Sequence, residues 1–269
     1  MPRLHESSDR RKSKKAALVI KCCRMIAMAL WIMGAMPAHS AELSIVENNK
    51  VLTCESGSCR LIQISGSLAS AIKEEYNRIS TADLFHDGNN EIVATHNGVN
   101  SCSRFFSYNA VKGSFLELNF SDKDICGYKI VGDILISVVK DGVKLRQDIY
   151  QRDGNTFRLH FSDNCYGCDQ VIRTVYDHDA VVDKYLVDGA DDYGKRKPLF
   201  STVTAGKALL YGDHSLSSTT HMYLVNGDKV QLLDFDNDDE SMYYIRYVGK
   251  SGKTIQDWIK CKDLAACSL

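Results

Sequence analysis

Residues 207–264 read KALLYGDHSLSSTTHMYLVNGDKVQLLDFDNDDESMYYIRYVGKSGKTIQDWIKCKDL. Four short apolar or alternating runs stand out in it, at 222–225, 229–233, 243–248 and 257–261. Turn-forming clusters separate them: Asn226-Gly227-Asp228, then residues 234–241 and 249–254. Strands of about five residues joined by such turns predict a small, strongly curved β-barrel over residues 207–269. Alternation places Tyr243, Ile245 and Tyr247 on one strand face and Tyr244 and Arg246 on the other. One of those faces is core, and the other offers an aromatic surface to a glycan or a peptide. Trp258, the only tryptophan beyond residue 31, reads either as core or as part of that surface.

Toward the N-terminus the texture stays β-like. Candidate strands fall at 91–95, 104–108, 114–118, 127–140, 145–150, 156–161 and 171–176. Between them lie Asp87-Gly88-Asn89-Asn90, Lys112-Gly113, Lys140-Asp141-Gly142 and Asp153-Gly154-Asn155. Asp-Gly between β-like runs is a strong hairpin signal. The region therefore predicts an antiparallel β-meander, closed as a sandwich or a barrel. Residues 43–61 read as a strand pair around Cys54 and Cys59. The stretch SLASAIKEEYNR, 67–78, is the one convincing helix, with Leu68, Ile72 and Tyr76 at helical spacing. Residues 178–206, rich in Asp and carrying Pro198, shift in composition and read as a connector. The expected fold is thus mainly β: a meander domain over 41–177 with one short helix, then a small barrel.

Two resemblances follow from these residues. The pattern YL…GDKV.LL…YY.IRY.GK….DWIK..DL resembles the bacterial SH3-like domains that end many envelope proteins. The resemblance implies that Gly227-Asp228 leads into a central strand. It also implies that Trp258-Ile259 packs into the barrel it closes, and that the unit binds rather than catalyses. The middle region, with ADLFHDGNNEIVATHNG, YNAVKGSFLEL and ISVVKDG…LRQDIYQRDGNTFRLHF, is similar to the periplasmic inhibitors of invertebrate-type lysozyme and their secreted relatives. Members of that family offer a surface loop to an enzyme's cleft. The resemblance nominates Ser137, Lys140, Asp141, Lys144 and Tyr150 on the most prominent hairpin as partner contacts.

Residues 1–40 read as a cleavable secretion signal. Basic residues precede a run of about a dozen apolar ones, short of the roughly twenty that span a bilayer, and Ala38, Ser40 and Ala41 offer a cleavage site. The expected product is a periplasmic protein with no membrane span. Of the 33 Lys and Arg and 34 Asp and Glu, eight basic and two acidic residues precede Ala41, leaving the remainder at a formal charge of −7. Such a balance disfavours nucleic acid and suits a basic protein partner. Eight cysteines follow residue 41, and an even count in an exported chain reads as disulfides. They fall as local couples: Cys54 with Cys59, Cys102 with Cys126, Cys165 with Cys168, and Cys261 with Cys267. Cys165-Tyr166-Gly167-Cys168 also has the spacing of a redox pair or half a zinc site.

Residues 83–91, DLFHDGNNE, present Asp83, Asp87, Asn89 and Glu91 at calcium-loop spacing, with Phe85 where a further ligand belongs. The alternative is a polar turn whose side chains close their own backbone. Asp236, Asp238 and Asp239 in the most acidic run read as a solvated loop, with Asp239 where a calcium loop would place its turn glycine, and as an electrostatic landing site for a cationic partner. No catalytic set is found: the histidines are scattered, and no HExxH, nucleophile elbow or phosphate loop occurs. No cofactor beyond calcium is expected. The sequence thus points to a binding protein that neutralises a cell-wall hydrolase or a delivered toxin. The alternative is a peptidoglycan-binding module acting through the SH3-like domain.

Overall fold

Two-residue turns set the register of the longest sheet. In the computed structural model, which describes residues 42–46, 50–55, 58–120, 124–215, 217–236 and 241–267, six strands follow one another as an antiparallel meander. They are β9 (Lys129–Val131), β10 (Ile134–Asp141), β11 (Lys144–Asp153), β12 (Thr156–Asn164), β13 (Gln170–Asp177) and β14 (Ala180–Asp188). Gly142 and Gly154 open the β10–β11 and β11–β12 turns at φ 62° and 63°, a conformation that a Cβ would strain. The β13–β14 turn is made by His178 and Asp179, at φ 47° and 65°. His and Asp are among the few non-glycine residues that enter this region.

That last turn explains a departure from expectation. The stretch 178–206, expected as a connector, instead supplies β14 and β15 (Phe200–Thr202). A hairpin without glycine gives no sequence signal, so the chain looked irregular where it forms a nine-residue strand. The C-terminal sheet likewise starts before Lys207, because β15 pairs with β18. Its strands are β15, β16 (Ala208–Tyr211), β17 (Thr219–Leu224), β18 (Lys229–Asp236), β19 (Met242–Val248) and β20 (Thr254–Lys260), in the order β15-β18-β19-β20-β16-β17. A 3-10 turn at Cys261–Asp263 follows, and Leu264 then bridges to Val203.

Upstream, β1 (Glu42–Val46), β2 (Lys50–Glu55) and β3 (Ser58–Gln63) form a three-stranded sheet. The expected helix is present as α1 (Gly66–Lys73) and ends before 78, because Glu75 turns to φ 74° and Arg78 already begins β4 (Arg78–Ala82). With β5 (Glu91–Thr95), β6 (Cys102–Asn109), β7 (Ser114–Glu117) and β8 (Ile125–Cys126), β4 completes a five-stranded sheet. The molecule is therefore mainly β, with antiparallel sheets and one α-helix among the described residues. Residues 1–40, including the expected signal, lie outside the described residues.

Three apolar clusters hold these layers. Leu68 and Ala71 of α1 pack on Val51, Ile92 and Phe106. Phe85, Phe105 and Phe120 on one side meet Leu135, Tyr150 and Phe157 of the meander on the other. Phe157 stacks between Phe85 and Phe120, with ring centroids 5.6 and 5.8 Å away. The third cluster lies inside the C-terminal sheet, around Leu210, Leu232, Ile245 and Ile259, and takes in Leu186 from β14. One strand thus contributes to the meander by hydrogen bonds and to the C-terminal core by its side chain.

Candidate functional site

The β10–β11 hairpin separates the nominated residues into two groups. Lys140, Asp141 and Lys144 are exposed around its tip, where Val143 is 98% exposed at the apex. The tip is braced from the side. Asn100 accepts from the Lys140 N–H at 2.9 Å and donates to the Lys140 carbonyl at 3.3 Å, so a side-chain amide stands in for a neighbouring strand. The Cys102–Cys126 pair lies close to that loop, across β6 and β8.

Ser137 and Tyr150 do not belong to the surface. Both are fully buried. Ser137 Oγ accepts from the Cys126 N–H at 2.9 Å and donates to the Cys126 carbonyl at 3.1 Å, so it ties β8 to β10. Tyr150 lies in the core between sheets, edge-on to Phe120, and burial raises its phenol above the ordinary value. The physical reason is cover on both faces. Gln147, Asp148, Ile149 and Tyr150 are buried in succession, and a bulge shifts the register at Ile149 and Tyr150. Strand alternation foresees cover on one side only.

Around 83–91 the oxygens close the backbone. Asp83 accepts from the N–H groups of Asp87 and Gly88 at 3.2 and 3.1 Å, and Asp87 from that of Asn89 at 2.8 Å. Glu91 is buried and accepts from the Leu84 N–H at 3.0 Å. Burial raises its carboxyl to about 7, against the pull of that N–H. Among the described residues no three His, Cys, Asp or Glu side chains converge as a metal site. The geometry built here is that of a polar turn.

A cleft of about 460 Å³ opens where β14 passes the outer face of β19 and β20. Ile259 and Ile245 face the core, so their neighbours Trp258 and Tyr244 face outward, half-buried. The resemblance implied a core tryptophan, and Trp258 instead stands on this outer face. Tyr244 and Trp258 are cross-strand partners with ring centroids 5.3 Å apart. Arg246 bonds both carboxylate oxygens of Asp183 and the Gln231 amide oxygen at 3.1 Å. The Gln256 amide, with its oxygen turned to Arg246, accepts from Nε at 3.0 Å. This pairing raises the Arg246 guanidinium and lowers the Asp183 carboxyl. Lys184 Nζ reaches Asp234 at 2.6 Å. Sequence reasoning found the aromatic wall and missed the opposing one, because β14 was hidden in the presumed connector.

The acidic run contributes less than expected to the described surface: Asp236 closes β18, and Asp238 and Asp239 lie outside the described residues. All four local cysteine couples stand at disulfide distance. Cys165 and Cys168 sit in the turn between β12 and β13, not at a helix N-terminus that would activate a thiol. Among the described residues no helix is long and apolar enough to cross a membrane. The chain matches no protein-family model, no curated protein and no solved structure.

Proposed function

We propose that this chain is an exported, periplasmic binding protein that neutralises a cell-wall hydrolase or a delivered toxin by inserting the β10–β11 tip into the partner's cleft. The observation that carries the reading is the braced tip, with Val143 exposed at its apex and Asn100 holding its base. A loop fixed before binding loses less conformational freedom on association, which favours affinity. Lys140, Asp141 and Lys144 form the polar rim around the apolar apex. The acidic balance beyond residue 41 adds attraction for a basic partner. Inhibition of a purified invertebrate-type lysozyme, followed by the clearing of a cell-wall suspension, tests it. Inhibition by the parent and its loss in Val143→Asp support the reading, whereas equal inhibition by both sinks it. If no lysozyme is inhibited, co-expression with candidate delivered toxins decides, and rescue from none of them ends the proposal.

A second reading, an envelope-binding module, draws on the C-terminal sheet. Its strand succession supports the SH3-like resemblance: a first strand pairing with β18, the β16–β17 hairpin, the β18–β20 meander, a 3-10 turn and the return of Leu264 to Val203. The outward Tyr244 and Trp258 supply its surface. Cosedimentation of the full chain with purified cell wall, compared between the parent and Trp258→Ala, tests it.

A further inference from the structure

The geometry points to the cleft between β14 and β19–β20 as a saccharide site that takes a neutral pyranose ring of a glycan. It needs no part of the hairpin reading, and it shares with the envelope reading only the Tyr244–Trp258 wall. That wall presents two adjacent, half-exposed rings, with His214 edge-on to Trp258 at a centroid distance of 5.9 Å. Flat apolar faces beside fixed polar groups suit a ligand that is itself apolar on one face and hydroxylated at its edge. Val181 and Val182 line the opposite wall and are 60% and 58% exposed.

The polar groups are held in place and keep bonding capacity. Asp234 accepts from Lys184 Nζ and from the Phe235 N–H at 2.9 Å, which leaves lone pairs on a carboxylate that offers about four. The Lys184 ammonium has three donors. A carboxylate beside an ammonium matches two adjacent hydroxyls, one donating and one accepting. Charge then selects a neutral ligand. Asp183 is paired with Arg246, and Lys184 with Asp234. A charged ligand would have to displace one of these partners or remain uncompensated in the cleft.

An extended peptide fits the strand edge poorly. The Lys184 N–H already bonds Asp183 Oδ1 at 2.8 Å. Further along β14, the Asp188 N–H donates to the Lys197 carbonyl and the Leu186 carbonyl accepts from the Leu199 N–H. Little of the ladder remains for strand addition.

The test uses the full chain with Trp31→Phe, so that Trp258 is the only tryptophan and its fluorescence reports the cleft. Tetra-N-acetylchitotetraose and cellotetraose are titrated, with tetra-alanine as the peptide comparison. The expected result is a saturable change with at least one oligosaccharide. Affinity should fall by about tenfold or more in Tyr244→Ala and in Asp234→Asn, and should stand unchanged in Val143→Asp. If Tyr244→Ala fails to fold, Asp234→Asn decides. The absence of saturation with either sugar, binding indifferent to the variants, or a response to tetra-alanine alone overturns the assignment. Cell-wall sedimentation that persists without oligosaccharide binding overturns it too, while leaving the envelope reading in place.

Discussion

Two loops of this molecule are each fastened to a sheet by a buried carboxylate, and they are fastened differently. The 189–196 segment is held through Asp163, which accepts from Arg173 Nε and Nη2 at 2.7 Å each and from Arg196 Nη1. Arg196 in turn bonds the Ala190 carbonyl at 2.7 Å, and Arg173 that of Tyr193 at 2.9 Å. The 83–90 loop is held through Glu91, which accepts from the Leu84 N–H and has no cationic partner among the described residues. A carboxylate taken out of water needs either an opposite charge or a proton. Asp163 has the first. Glu91, raised to about 7, takes the second over much of the acidic range.

The largest effect should come from removing the charge that two guanidiniums share. Asp163→Asn leaves Arg173 and Arg196 buried without a counter-ion, and breaking a buried pair of this kind costs about 3–5 kcal/mol. Urea unfolding measures it. A loss below about 1 kcal/mol would mean that the clamp is solvated and that the contrast with Glu91 is empty.

Glu91→Gln should act through pH. The folded-state value is raised from 4.5 to about 7, so between those values the folded chain holds a proton that the unfolded chain has released. Stability from this group is therefore full below about 4.5 and is lost as pH rises toward 7. Gln keeps an acceptor for the Leu84 N–H and has no charge to bury. The difference in stability between variant and parent should therefore shift in the variant's favour by about 2 kcal/mol across the window, at about 1.4 kcal/mol per pH unit with allowance for water access. Melting curves from pH 4 to pH 8 read it directly, and parallel curves would remove Glu91 from the comparison.

What the sequence disclosed follows from how local each feature is. The hairpins at Gly142 and Gly154 were legible because glycine marks the turn. The cysteine couples were legible because each pair lies close along the chain, and the expected connectivity stands. Half of the tip was legible too, since Lys140, Asp141 and Lys144 flank a recognisable turn. Ser137 and Tyr150 were misplaced because the cover over β11 comes from distant segments. The Asp163 clamp left no trace, since its partners lie 10 and 33 residues away. Half of the cleft was hidden for a local reason: His178 and Asp179 make a turn that ordinary turn chemistry does not advertise.

That turn gives a smaller effect, one that acts on backbone strain alone and so separates it from buried charge. Replacing His178 with Asn and Asp179 with Gly gives two positive-φ positions the residues that adopt them most readily. A gain of about 1 kcal/mol is expected, since left-handed backbone costs roughly 1–2 kcal/mol per ordinary residue and His and Asp already suffer less than most. The His178–Asp177 contact that the variant loses is exposed and worth little, so it should not mask the gain. Urea unfolding measures it, and an unchanged stability would show that His178 and Asp179 hold the turn without strain.

The smallest effect on stability is expected at the apex of the hairpin tip, at Val143, where neither kind of clamp operates. Val143 is 98% exposed, so Val143→Asp removes almost no buried area and should move stability by less than about 0.5 kcal/mol. Asn100→Ala deletes the two bonds to Lys140 and should cost about 1–2 kcal/mol, because each such bond contributes about 0.5–1.5 kcal/mol net. The two variants should then diverge in partner binding. If the apex enters a partner as proposed, Val143→Asp places a charge in that contact and should raise the dissociation rate. Asn100→Ala leaves the apex intact and loosens its base, so it weakens binding through the ordering that the partner must now impose. If Asn100→Ala lowers stability and leaves affinity untouched, the brace serves only the fold. If Val143→Asp also leaves affinity untouched, the tip is not the contact, and the proposed insertion falls.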